Sequence, residues 1–134
     1  MQLQPHHIGI IVRDIDRSVA FYEALGFRVS SVIESDDGSR TITFMELGGS
    51  YIELFCYAET PMRADLGEKH LGFVHYALLT DDVDGALAEL KARDFVPDAV
   101  ESRRVPAGFK VAFFYDPDGV EIELTQSDRV SAAV

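Results

Sequence analysis

The sequence predicts an α+β fold of two tandem βαβββ modules, whose strands form a curved mixed sheet around a cavity. Two observations lead to this prediction. The second half of the chain repeats the first at a shift of 68 residues, so that His7 aligns with His75 and Phe27 with Phe95. Each copy also passes from strand-like alternation to a helical period and back. Two copies are too few for a solenoid, so we expect a pseudo-symmetric pair.

The first module, about residues 5–60, begins with the alternating pattern of a strand at 7–12. The carboxylate of Asp14 can cap the N-terminus of the helix that follows, and Gly26 is placed to end that helix in a left-handed conformation. An apolar stripe at helical spacing lies between them: Ile15, Val19, Tyr22 and Leu25. Three strand-like runs complete the module: 27–33, 41–47 and 51–57.

The second module, about residues 73–127, repeats this order. We expect a strand, a helix and three further strands: 73–80, 83–93, 95–101, 109–115 and 119–126. The last two are divided by a turn in which Pro117 presets φ and Gly119 supplies a positive φ. The polar stretch 59–72 is predicted to connect the modules and 128–134 to form a C-terminal tail, so that residues 1–134 make one domain.

Composition excludes several classes of protein. The 134 residues are 47% hydrophobic and carry a net charge of −11 with no basic run, which disfavours nucleic acid and anionic membranes as partners. No apolar stretch is long enough for a membrane span, and the N-terminus lacks the pattern of a signal peptide. The single cysteine, Cys56, excludes an internal disulfide and a Cys-rich zinc site. We therefore expect a soluble, cytoplasmic globular domain.

Strand parity directs four side chains with metal-binding chemistry to the helix-free face of the sheets. Because successive strand residues point to opposite faces, His7 and Glu53 lie opposite the apolar positions that pack under the helix. The repeat places His75 and Glu123 in the same way. A single exposed His or Glu is usually solvated surface, but four at repeat-related positions favour one divalent metal ion, which could be Zn, Ni, Co, Mn or Fe(II).

The same parity predicts an apolar wall beside these four residues. Its members are Ile11, Tyr51, Phe55, Tyr57 and Leu79, which we interpret as a substrate pocket that excludes water. The neighbouring Glu121 shares the parity of Glu123, and we expect it to tune that residue by like-charge repulsion.

Three motifs carry a resemblance to a known family. They are HIGIIV at 7–12, DIDRSVAFY with LGF within 14–27, and DPDGVEIEL at 116–124. Through them the chain, from His7 to Gln126, resembles the vicinal oxygen chelate (VOC) superfamily, also called the glyoxalase/bleomycin resistance/dioxygenase family. The resemblance implies the VOC fold. It is less specific for a reaction, because members bind antibiotics, isomerise, epimerise, add thiols or cleave aromatic rings.

The resemblance implies that His7, Glu53, His75 and Glu123 occupy the four metal positions of the family. Extradiol dioxygenases and fosfomycin-resistance enzymes typically use the counterparts of His7, His75 and Glu123 only. Methylmalonyl-CoA epimerases usually carry Gln at the position of Glu53, and drug-binding members lack the metal site. Glyoxalase I has the full His-Glu-His-Glu set, so the chain is most similar to glyoxalase I (lactoylglutathione lyase).

This similarity implies a metal-dependent lyase or isomerase that transfers a proton through a metal-stabilised enediolate, with Glu123 as the first choice of base and Glu53 as the second. Glyoxalase I typically holds glutathione with an Arg and an Asn at positions that here are Ile11 and Tyr57, so the substrate is left open. A methylmalonyl-CoA-epimerase-like enzyme, an extradiol-dioxygenase-like enzyme and a non-catalytic small-molecule-binding protein are the alternatives.

The resemblance further implies a homodimer. Family members build their sites from two modules, either within one chain or across a dimer with exchanged modules. Both arrangements use the same residues, and the sequence does not distinguish them.

Overall fold

Each half of the chain folds into one helix and four strands in the order βαβββ. The computed structural model describes residues 1–2, 4–59, 72–106 and 108–127. The elements of the first half are β1 (His7–Ile11), α1 (Ile15–Ala24), β2 (Arg28–Glu34), β3 (Arg40–Leu47) and β4 (Ser50–Tyr57). Those of the second half are β5 (His75–Leu79), α2 (Val83–Ala92), β6 (Arg103–Val105), β7 (Phe109–Tyr115) and β8 (Glu121–Ser127). The predicted α+β fold of two tandem βαβββ modules is therefore confirmed.

The two modules have the same sheet topology. The strand orders are β1-β4-β3-β2 and β5-β8-β7-β6. In each sheet the first strand runs parallel to the last strand of its module, and the remaining neighbours are antiparallel. The chain divides into two compact units, Met1–Asp65 and Leu66–Val134, one for each module. Most of the predicted connector, at 60–71, and the predicted tail, at 128–134, lie outside the described residues.

Both helices begin and end in the same way. Asp14 Oδ1 accepts a hydrogen bond from the backbone N–H three residues further on, at 3.1 Å, and Asp82 Oδ1 does so at 2.9 Å. These bonds satisfy one of the unpaired donors in the first helical turn. Beyond the helix ends, Gly26 has a φ of 102° and Asp94, its counterpart in the repeat, a φ of 60°. The left-handed turn is thus conserved in geometry between the modules, although only Gly adopts it without steric cost.

The core of each module lies between its helix and one face of its sheet. Three side chains of each sheet have almost no exposure to solvent. They are Met45, Ile52 and Leu54 in the first sheet and Ala112, Phe114 and Ile122 in the second. The apolar stripe predicted for α1 is only partly correct, because Ile15 and Val19 are half-buried, whereas Ser18 and Phe21 are buried with Tyr22. Among the described residues, no helix is long and apolar enough to cross a membrane.

The predicted strand 95–101 is wrong. Pro97 lies at its centre and has no N–H to donate to a sheet, while its carbonyl accepts a hydrogen bond from the N–H of Val100 at 3.1 Å. This closes a turn, and strand pairing resumes only at β6, where Arg103 pairs with Val111. The apolar composition of 95–100 indicated a strand. Val96 is indeed buried, but it is buried without lying in a strand.

The turn between β7 and β8 is built around the buried carboxylate of Asp116. Its Oδ1 accepts hydrogen bonds from the backbone N–H groups of Asp118 at 2.9 Å and Val120 at 2.8 Å. Because Asp116→Ala leaves both donors without this acceptor, we expect it to lower the free energy of unfolding by about 1–3 kcal/mol. Urea denaturation would measure this, with the exposed Asp98→Ala as control at within about 0.5 kcal/mol of wild type. Equal stability of the two variants would contradict the assignment.

Candidate metal centre

The first module brings together two of the four predicted metal ligands. His7 and Glu53 lie on the neighbouring parallel strands β1 and β4, and His7 Nε2 is 3.0 Å from Glu53 Oε2. Ile52 and Leu54, on either side of Glu53, are fully buried, so strand alternation turns Glu53 to the opposite face. Its side chain is 15% exposed. The pairing follows from the register, which sets Gly9, rather than a larger residue, directly beside Glu53.

The second module repeats this pair with a shorter contact. His75 Nε2 is 2.7 Å from Glu123 Oε2, and the side chain of Glu123 is 14% exposed. The register is the counterpart of that in the first module, because Ala77 stands beside Glu123 where Gly9 stands beside Glu53. The repeat in sequence is therefore a repeat in side-chain geometry.

The distances within both pairs suit metal coordination. A divalent ion binds His nitrogen and carboxylate oxygen at about 2.0–2.2 Å, so two donors at neighbouring positions of its shell stand roughly 3 Å apart. The His–Glu contacts of 3.0 Å and 2.7 Å are close to that value, and each also fits an ion pair. In the part of the chain that the structure describes, no three His, Cys, Asp or Glu side chains are grouped to hold a metal ion. Each unit thus supplies two of the predicted ligands, and the joining of the pairs in one site stays a prediction.

The predicted pocket residues divide between the two modules. Four of them lie on the face of the first sheet that carries His7 and Glu53: Ile11, Tyr51, Phe55 and Tyr57. The rings of Phe55 and Tyr57 stack with centroids 6.4 Å apart. Gly9 allows this placement, since a Cβ there would stand 3.2 Å from the Phe55 ring. Leu79, on β5 of the second module, is 63% exposed.

Glu121 contacts His75, a neighbour that the sequence did not indicate. Glu121 Oε1 is 3.3 Å from Nδ1 of His75, the ring nitrogen opposite the one that contacts Glu123. In the register of β5 and β8 Glu121 stands directly beside His75, and its expected charge repulsion with Glu123 stays a prediction. The pairing of these two parallel strands is the signal that identifies this contact, and residue parity alone does not contain it.

Two further side chains near His75 were also missed. The ring of Phe113, which pairs with Glu123 across β7 and β8, has its centroid 5.6 Å from that of His75. The guanidinium of Arg103 lies over the Phe113 ring at 5.7 Å from its centroid. Aromatic rings attract cations in this arrangement, so a positive charge is held on the same face of the second module as its His–Glu pair.

In the first module the corresponding neighbour is His6. Its Nδ1 is 2.8 Å from Nδ1 of His7, and its ring stacks on Tyr51 with centroids 5.6 Å apart. His6 immediately precedes the first strand, and the sequence did not indicate this contact.

Comparison with known proteins identifies the family. The sequence model of the Glyoxalase/Bleomycin resistance protein/Dioxygenase superfamily matches residues 4–124, a range that includes all four predicted ligands. The chain belongs to this superfamily. Its two βαβββ modules are the VOC fold of that superfamily.

Relatives of the chain are named for different functions. A probable lactoylglutathione lyase of Vibrio parahaemolyticus is 32% identical over 96% of this chain and 94% of its own length. The mitochondrial methylmalonyl-CoA epimerase of mouse is 26% identical over 91% of this chain and 72% of its own. The solved structure of the trypanothione-dependent glyoxalase I of Leishmania major has a TM-score of 0.73, with 28% identity over 93% of this chain and 87% of that one. These similarities establish the superfamily and do not select one reaction.

Proposed function

We propose that this VOC protein is a divalent-metal-dependent lyase or isomerase of the glyoxalase I type. The observation that carries the proposal is the repeated His–Glu pair, with Nε2–Oε2 contacts of 3.0 Å for His7–Glu53 and 2.7 Å for His75–Glu123. Both pairs lie at the motif positions that the resemblance assigns to metal ligands. The similarity to a probable lactoylglutathione lyase and to a glyoxalase I structure supports the same reaction class.

The residues present fit a divalent ion. Two imidazoles and two carboxylates form a donor set of intermediate hardness, which suits Zn, Ni, Co, Mn or Fe(II). A bound ion of this kind supplies Lewis acidity to a carbonyl oxygen of the substrate. The set requires both modules, and the proposal includes a homodimer, in which the pairs join either within one chain or between two.

The protein's own acid–base group in this proposal is Glu123. Its carboxylate removes a proton from the carbon next to the substrate carbonyl and returns it to the neighbouring carbon. Glu53 is the second candidate for this role. Both side chains are mostly withdrawn from solvent, at 14% and 15% exposure. In the first module the apolar residues Ile11 and Phe55 share the sheet face of Glu53, where they limit the access of water and strengthen the electrostatic interactions of its carboxylate.

A specific observation favours a second candidate, an acyl-CoA epimerase. Ile11 and Tyr57 stand where glyoxalase I typically carries polar anchors for glutathione, and the similarity to methylmalonyl-CoA epimerase covers 91% of the chain. Both candidates move a proton at a carbon next to a carbonyl, so the same two glutamates serve either reaction. They differ in the group that the rest of the pocket binds.

Metal analysis tests whether the protein binds a divalent ion, which the proposed reaction requires. We expect the purified protein, stripped with a chelator and reloaded, to bind one divalent ion for each set of His7, Glu53, His75 and Glu123. The double variant His7→Ala/His75→Ala is expected to bind none at the same concentration, because it loses one nitrogen donor from each pair. Elemental analysis after gel filtration measures the stoichiometry. A wild-type protein without a bound divalent ion would overturn the enzyme proposal and favour a non-catalytic binding protein.

A substrate screen then separates the candidates. The metal-loaded protein would be assayed with hemithioacetals of methylglyoxal formed from several thiols, with acyl-CoA epimers and with catechols. We expect turnover of a hemithioacetal, and trypanothione belongs among the thiols because a structural relative depends on it. Turnover of an acyl-CoA alone would select the second candidate. Oxygen uptake with a catechol would contradict both.

A further inference from the structure

We propose that Glu121 is a positioning residue that holds the imidazole of His75 in the orientation needed to bind the metal ion through Nε2. This inference rests on the proposed metal site and adds a residue outside the four ligands. It also makes the two halves of that site unequal, because in the described part of the first module the Nδ1 of His7 meets the ring of His6, whereas the Nδ1 of His75 meets Glu121.

The contacts of the His75 ring support this role. Its Nδ1 is 3.3 Å from Glu121 Oε1, while its Nε2 is 2.7 Å from Glu123 Oε2. An imidazole that binds a metal through Nε2 carries its proton on Nδ1 and must donate it to a neighbour. A carboxylate at Nδ1 accepts that proton, fixes the tautomer and the plane of the ring, and increases the basicity of the liganding nitrogen. Glu121 occupies the place of such a carboxylate.

Glu121 is itself held by the sheet. The hydroxyl of Tyr115, its partner across β7 and β8, donates to Glu121 Oε2 at 3.3 Å, which leaves Oε1 for the ring of His75. Phe113 packs beside the same ring, with centroids 5.6 Å apart. The Glu121 side chain is 25% exposed, so solvent competes only in part for its oxygens.

The first module contains the same pair of residue types with their strands exchanged. There Tyr51 is on β4 and Glu46 on β3, where they pair across the sheet. The Glu46 carboxylate accepts hydrogen bonds from the N–H of Gly49 at 3.0 Å and from Arg28 Nε at 2.7 Å, and these bonds lower its pKa. It is thus engaged away from His7.

The ring of His7 consequently has another imidazole as the neighbour of its Nδ1. That neighbour is Nδ1 of His6, at 2.8 Å, rather than a carboxylate oxygen. A hydrogen bond to a charged acceptor is roughly twice as strong as one between neutral groups. The geometry therefore predicts that His75 is the more firmly oriented of the two histidines.

The test compares Zn²⁺ binding in two Glu121 variants with a matched control. Glu121→Leu removes the acceptor, and we expect it to weaken Zn²⁺ binding by about 10–100-fold, the usual effect of losing such a partner. Glu121→Gln retains an amide oxygen of the same size without the charge, so its affinity should fall between wild type and Glu121→Leu. Glu46→Gln changes the equivalent carboxylate of the first module and should leave affinity unchanged. Competition with a chromophoric chelator measures all four proteins.

A second measurement observes the ring directly. In the Zn²⁺-loaded protein, nitrogen-15 NMR should show a slowly exchanging Nδ1–H proton on His75 in wild type, and this proton should exchange rapidly in Glu121→Leu. A general loss of stability would not produce that change at one histidine. Equal Zn²⁺ affinity and an unchanged His75 signal in both Glu121 variants would overturn the positioning role while leaving the metal site intact. Absence of Zn²⁺ binding in wild type would instead overturn the proposed function.

Discussion

Replacing Glu123 by Gln should leave a folded protein whose kcat is lower by about 10²–10⁴-fold. A positioned general base contributes a factor of that size, and an amide cannot accept the proton from carbon. In the wild type, His75 Nε2 is 2.7 Å from the Glu123 carboxylate. The Gln side chain has the same shape, so its amide oxygen can keep this contact. Initial rates with the compound that the screen identifies give kcat, and elemental analysis confirms that the metal is retained.

The control for this variant is Glu46→Gln, on the same sheet face as Glu53, where the Glu46 carboxylate is bound to Arg28 rather than to a predicted metal ligand. We expect it to keep wild-type kcat. Glu53→Gln separates the two candidate bases, because it should lower kcat by less than Glu123→Gln does. A wild-type rate in Glu123→Gln would remove the base assignment, and a larger loss in Glu53→Gln would transfer it to Glu53.

The sequence predicts the sheets well because side chains alternate along a strand, so that each residue can face only one of two sides. Once Ile52 and Leu54 are assigned to the core, Glu53 must face the other way, and the structure buries both neighbours completely. The 68-residue repeat adds a second, independent copy of each assignment. The prediction fails at 95–101, where Val96 alone is buried and the strand begins only at Arg103. Apolar composition indicates burial, and it indicates a strand only where alternation accompanies it.

The site is less fully determined by the sequence than the fold is. Each His–Glu pair is predictable because both partners lie on strands whose register follows from the repeat. The partner of Nδ1 in each ring is not, because it depends on the side-chain conformations of Glu121 and His6 and on which neighbours compete for them. Whether the two His–Glu pairs join in one site depends on how the modules associate. The alternation of side chains along a strand carries no information on that association.

The two modules also offer a matched test of how far the fold is one cooperative unit. Phe114 and Met45 occupy equivalent core positions, paired across the sheet with Ile122 and Ile52, and they are 2% and 0% exposed. Phe114→Ala should lower the free energy of unfolding by about 3–5 kcal/mol and Met45→Ala by about 2–5 kcal/mol, through lost burial and the cavity left behind. Val32→Ala, on an exposed side chain, should change it by less than about 0.5 kcal/mol.

These losses are large against the roughly 5–15 kcal/mol that stabilises a typical domain. A module of about 60 residues buries only about 60% of the surface of its unfolded chain and is marginal alone. We therefore expect the protein to unfold in a single transition in denaturant, as one domain over residues 1–134 requires. Either core variant should move the midpoint of this whole transition to lower denaturant concentration. Two transitions, of which Met45→Ala moves one and Phe114→Ala the other, would show that the modules unfold independently. A metal ion bound by both pairs would then have to couple them, and added Zn²⁺ should merge the two transitions into one.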